Sequence, residues 1–60
     1  DIPATDEDRV ELLGNSEVLK IDLKKVVAKE LKIDFDNMTK SDVQTIQEWI
    51  DKEIDKKLGE

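Results

Sequence analysis

The chain has 60 residues with no cysteine and no histidine, and its 16 acidic and 10 basic residues give a net charge of -6 at pH 7. A chain this short forms one domain that buries roughly 60% of its unfolded surface. The missing residue types exclude disulfides, thiolate metal sites and the commonest acid/base group. We therefore expect residues 1–60 to form a single non-enzymatic domain without a metal.

The charges are unevenly spread along the chain. The first 17 residues hold six acids against Arg9 alone, whereas residues 18–33 hold five lysines and two acids. No apolar run approaches the ~20 residues that a membrane span needs, and the start lacks a basic, hydrophobic signal segment. We expect a cytoplasmic protein that does not enter membranes. Its beginning with Asp1 rather than Met suggests a domain excised from a larger protein.

A short first helix is predicted near the start of the chain. Thr5 can cap a helix, and Asp8 stands three places on, where a side chain reaches back to the cap. Gly14-Asn15 supplies residues that adopt the left-handed geometry in which helices end. The first helix is therefore expected to make about two turns, from Asp6 to Leu13.

A second helix is predicted to begin at Asn15-Ser16, with Ser16 as a possible cap. Its apolar stripe, with Val18 and Ile21 at the border, contains Leu19, Leu23, Val26, Val27 and Leu31. Ile33 and Phe35 then alternate with aspartates, a pattern that fits a short extended piece or, as we expect, a loop that covers two apolar side chains. We expect Phe35 to enter the core.

The last helix is predicted to start within two residues of Ser41 and to end at Gly59. Two overlapping cap signals precede it, namely Thr39 with Asp42 and Ser41 with Gln44. Its apolar positions recur at helical spacing: Val43, Ile46, Trp49 or Ile50, Ile54 and Leu58. We expect Trp49 to point inward and anchor the bundle. At the border of the stripe it would instead be a contact hot spot.

The apolar register from Leu13 to Ile54 carries a family resemblance. Leu13-Gly14 opens the register, and Asp42 followed by Thr45-Ile46 opens its last helix. These positions resemble, without a gap, acyl carrier proteins and the carrier domains of polyketide synthases. The resemblance implies an all-α fold, here a small three-helix bundle with a truncated first helix, that belongs to a multienzyme assembly.

The position that holds the cofactor in that family departs from the pattern. Carrier domains have an Asp-Ser-Leu triplet whose serine accepts phosphopantetheine, and the gapless alignment places Glu17 on that serine. A carboxylate cannot form the phosphodiester. Sliding the alignment by one residue would place Ser16 there, but it would rotate the apolar residues out of phase by about 100°.

Three functions remain open from the sequence. The leading hypothesis is a non-catalytic docking or scaffold module that needs no cofactor and binds an acidic protein partner or a second copy in a homodimer. In that hypothesis the contact residues are Val18, Lys20, Ile21, Lys24, Lys25 and Trp49. The first alternative is a functional acyl or peptidyl carrier modified with 4'-phosphopantetheine on Ser16. The second is a small helical DNA-binding module that uses the lysines of the second helix, although the acidic charge disfavours nucleic acid.

Overall fold

The computed structural model describes residues 2–59 and contains three α-helices. They are α1 (Asp6–Ser16), α2 (Leu23–Glu30) and α3 (Lys40–Leu58). Two 3-10 turns, Glu17–Leu19 and Phe35–Asn37, lie in the two connections, and residues 2–59 include no strand. The predicted all-α three-helix bundle is thereby confirmed.

Two threonines begin the first and last helices in the same way. The Thr5 hydroxyl accepts from the Asp8 main-chain N–H at 3.2 Å, and the Thr5 N–H donates to Asp8 Oδ2 at 3.0 Å. Thr39 and Asp42 repeat this pair of bonds at 3.3 and 3.0 Å. These capping boxes satisfy main-chain donors that the first helical turn leaves unpaired. The predicted Thr5 cap is confirmed, and α3 uses Thr39 rather than Ser41.

The segment before α1 is tied to the start of α3. The Ala4 N–H donates to the Met38 carbonyl at 3.0 Å, and the Lys40 N–H donates to the Ile2 carbonyl at 2.8 Å. Lys40 Nζ also donates to Asp8 Oδ2 at 2.5 Å. This bond and the Thr5 N–H hold the pKa of Asp8 down to about 2. The two capped helix starts are thus joined to each other.

The core lies where α1, α2 and α3 meet. Val27, Ile46 and Ile50 are completely buried, and α1 packs mainly against α3. Phe35 enters this core from its 3-10 turn, as predicted. The remaining buried apolar side chains are Ala4, Leu12, Leu23 and Met38. All three helices therefore contribute to one apolar cluster.

The prediction that Gly14-Asn15 ends α1 is wrong. The helix continues through Gly14 to Ser16, and no glycine in residues 2–59 has a positive φ. The helix can continue because Asn15 makes a tertiary contact, donating from Nδ2 to Gln47 Oε1 of α3 at 2.8 Å. Tertiary contact here outweighs the local tendency of Gly-Asn to end a helix.

The predicted start of the second helix is also wrong. Ser16 is the last residue of α1 and not a cap, because its hydroxyl donates back to the Leu13 carbonyl at 3.0 Å. Lys20 has the left-handed φ of 54°, which breaks the chain direction after the first 3-10 turn. α2 then begins at Leu23, where the Asp22 side chain accepts from the Lys25 N–H at 3.4 Å. Helix α2 thus has only eight residues.

The end of α3 agrees with the prediction. The helix ends at Leu58, and the Gly59 N–H donates to the Asp55 carbonyl at 2.9 Å. Lys56 and Lys57 lie in this last turn, where positive charge interacts favourably with the helix dipole. This lysine-bearing end of α3 lies beside the connection between α1 and α2, where Lys57 Nζ donates to the Val18 carbonyl.

Candidate protein-binding surface

A shallow groove lies between the α1–α2 connection and the C-terminal half of α3. Its volume is about 350 Å³. Leu19 and Ile21 form one side, and four α3 residues form the other. Three of these four follow one another at intervals of four residues, and the remaining one lies three residues after the middle one, which places all four on one helix face. We call this site the Ile21–Trp49 groove, and its lining comprises Leu19, Ile21, Trp49, Glu53, Lys56 and Lys57.

The groove exposes apolar surface that the core does not cover. Ile21 is 36% exposed, and Val18 on the same connection is 53% exposed. Trp49 is half-buried and packs against the core while it also lines the groove. The expectation that Trp49 points fully inward is therefore met only in part, since Ile50 takes the buried position. Trp49 presents one side of a large aromatic side chain to the groove.

The charge at the groove is positive although the chain as a whole is acidic. Lys56 Nζ lies 3.2 Å from Glu53 Oε2, so these two charges pair with each other. Lys57 Nζ donates to the Val18 carbonyl at 3.1 Å, and no salt bridge within residues 2–59 involves Lys57. A lysine ammonium has three donors. Lys57 is thus held in place with donors left for a ligand carboxylate.

The six predicted contact residues do not form one surface. Ile21 and Trp49 line the groove, and Val18 and Lys20 belong to the connection beside it. Lys25 is exposed on α2 outside the groove lining. Two of the predicted apolar residues thus line the groove, whereas none of the predicted lysines does.

Lys24 faces a different depression and already has a partner. Its Nζ lies 2.7 Å from Asp36 Oδ2. This bond, with further attraction from Asp34 and Asp22, raises the pKa of Lys24. Lys24 lines a second shallow depression, whose other residues are Ala28, Lys32, Ile33, Asp34 and Phe35. A lysine surrounded by carboxylates contributes little net positive charge to an approaching partner.

Ser16, the predicted cofactor attachment residue, has only 2% of its surface exposed. Its hydroxyl donates to the Leu13 carbonyl at the end of α1. Attachment of phosphopantetheine needs a hydroxyl that a transferase can reach. In this conformation the required oxygen is buried and engaged, whereas the adjoining Glu17 is exposed.

Sequence reasoning missed four residues of the groove, namely Leu19, Glu53, Lys56 and Lys57. The spacing of Trp49, Glu53 and Lys56 could have placed these three on one face of the last helix. Leu19 was predicted in the apolar stripe of the second helix, but its position opposite Trp49 could not be predicted, because the connection was expected to be helical. The left-handed residue Lys20 carries no strong sequence signal.

Residues 2–59 contain no group of three or more acidic side chains placed to hold a metal ion. Within the same residues, no helix combines the length and apolar character required to cross a bilayer. Comparison with protein-family models, with curated proteins and with solved structures gives no match for this chain.

Proposed function

We propose that this domain is a non-catalytic docking module that binds another protein through the Ile21–Trp49 groove. The resemblance to carrier domains suggests a multienzyme assembly, such as a polyketide synthase, as its setting. In this function the fold presents a surface, and no residue of the domain performs chemistry. The proposal retains Val18, Lys20, Ile21 and Trp49 as contact residues and adds Lys57.

The observation that supports the proposal most directly is the half-covered Trp49 beside exposed Ile21. Tryptophan is over-represented among the interface residues that dominate binding energy. Covering apolar area contributes roughly 25 cal/mol for each Å² removed from water. A partner side chain placed between Ile21 and Trp49 would cover apolar area and so contribute this free energy to binding, without any change in the core.

The lysines indicate an acidic partner. Lys57 is fixed at the groove by the Val18 carbonyl, and Lys20 is exposed between two groove-lining residues. Charges around an apolar contact mainly increase the association rate and select partners of opposite sign. We expect a partner segment that has an apolar anchor with carboxylates beside it.

Site-specific photo-crosslinking in the source cells tests the docking function. A photoreactive residue in place of Ile21 is expected to capture one defined protein. The matched control replaces Leu58, which is 79% exposed and does not line the groove. The captured protein, once purified, should bind the wild type more tightly than Lys57→Glu. Equal capture by the residues at positions 21 and 58 would contradict the proposal. So would equal affinity of the captured protein for the wild type and for Lys57→Glu.

A second experiment separates docking from the carrier alternative. The domain is incubated with coenzyme A and a phosphopantetheinyl transferase, and its mass is measured. We expect no mass increase, because the Ser16 hydroxyl is buried and bonded to Leu13. A mass increase that disappears in Ser16→Ala would instead support a functional carrier.

A further inference from the structure

Helix α1 carries a second exposed apolar surface, and this one is acidic. Val10 is 68% exposed and Leu13 is 43% exposed, and residues three apart lie on the same helix face. Glu7, three residues before Val10, is exposed on this face, and Glu11, four residues after Glu7, is exposed beside it at the edge of the depression between α1 and α3. Neither glutamate joins a salt bridge within residues 2–59. We call these four residues the α1 outer face.

The α1 outer face has the chemistry that the Ile21–Trp49 groove requires of a ligand. It offers two aliphatic anchors with carboxylates beside them, while the groove offers an apolar cleft with the fixed ammonium of Lys57. We propose that the groove of one copy of this chain receives the α1 outer face of a second copy. This inference rests on the proposed function, in which the groove is the docking surface, and it names the occupant.

The contact joins two different surfaces and is therefore heterologous. Val10 and Leu13 of one copy cover Ile21 and Trp49 of the next, and a glutamate carboxylate accepts from Lys57. Such a contact leaves one groove and one outer face open, so it extends into chains or closes into a ring. Two aliphatic side chains in a shallow groove make a small contact, and complexes with small interfaces are weak and transient. The association is therefore weak and reversible, and salt weakens it further by screening.

Sedimentation equilibrium over micromolar to millimolar concentrations provides the test. The wild type should gain average mass with concentration, and added salt should reduce the gain. Val10→Ser removes the more exposed of the two aliphatic anchors and Ile21→Ser alters the groove, so each variant alone should remain a monomer. Leu58→Ser removes an exposed apolar side chain outside both surfaces and should behave as the wild type does. Circular dichroism checks that every variant is folded.

Mixing the two defective variants gives the decisive result. Ile21→Ser keeps an intact α1 outer face and Val10→Ser keeps an intact groove, so an equimolar mixture should form dimers and nothing larger. A monomeric wild type, a monomeric mixture or an equal loss in Leu58→Ser would overturn the proposal. If the wild type stays monomeric while a crosslinker at Ile21 still captures another protein, docking stands and the second copy is not its occupant.

Discussion

The core and the Ile21–Trp49 groove both use apolar residues of α3, but they are covered to different extents. Ile46 and Ile50 are completely buried. Trp49 packs against the core on one side and faces the short α1–α2 connection on the other, where Ile21 remains 36% exposed. The apolar residues of the groove are covered less fully than those of the core because the α1–α2 connection turns at Lys20 and does not continue as a helix. Apolar residues in the groove are therefore only partly required for folding and are available for binding.

The largest expected effect is a loss of stability when a core residue is shortened. Ile46→Ala should lower the free energy of unfolding by about 2–5 kcal/mol, because it leaves a cavity at a fully buried position. A domain of this size has roughly 3–5 kcal/mol to lose, so the variant should be largely unfolded at room temperature. Urea denaturation followed by circular dichroism measures the change. Ile46→Val, the matched control, should cost only about 0.5–1.5 kcal/mol.

The next largest loss of stability is expected at the start of α3, the helix that contributes to both the core and the groove. Thr39→Ala removes a side-chain cap and should cost about 1 kcal/mol. Ser41→Ala is the matched control, because Ser41 is exposed and its side chain makes no capping bond. Thermal denaturation compares the two variants. An equal or larger loss in Ser41→Ala would show that the helix begins at the later of the two cap signals.

The free energy of unfolding is expected to depend on pH through the bond between Asp8 of α1 and Lys40 of α3. The pKa of Asp8 is lowered from 3.8 to about 2 when the chain folds. On acidification, Asp8 is therefore protonated at a higher pH in the unfolded chain than in the folded one. The stabilisation that the Asp8 carboxylate provides is fully present above the pKa of the unfolded chain. It is lost as the pH falls from about 4 toward 2. Urea denaturation at several pH values should show a shallower acid loss in Asp8→Asn, and an unchanged slope would contradict the assignment.

The smallest effect on stability is expected at the groove lysine. Lys57→Gln should leave the free energy of unfolding within about 0.5 kcal/mol, because Lys57 lies on the surface. Loss of the ammonium should weaken self-association by about 1 kcal/mol, or about fivefold. Sedimentation equilibrium measures this change, with Lys52→Gln on the same helix as the control. Equal weakening in both variants would indicate a general charge effect.

The fold was largely predictable because helix caps and apolar spacing are local signals. Thr5 with Asp8 marked the start of α1, and the spacing of Val43, Ile46 and Ile50 marked α3. The errors fall between residues 14 and 22, where tertiary contacts decide the conformation. Ser16 could cap a following helix or bond backward, and local sequence does not distinguish these choices.

The candidate site was predictable only in its exposed apolar residues. Val18 and Ile21 were expected at the border of a stripe, and both are exposed. The predicted lysines were less informative, since their pairing depends on neighbours that are distant in sequence. Lys24 is paired with Asp36, whereas Lys57 is fixed by the Val18 carbonyl, 39 residues away.

Urea denaturation of Ile21→Ser tests most directly whether the groove is separable from the core. The account predicts that this variant loses only about 1–2 kcal/mol of unfolding free energy, because Ile21 is 36% exposed, with an unchanged dependence on urea. A loss as large as that of Ile46→Ala would contradict it, because Ile21 would then belong to the core.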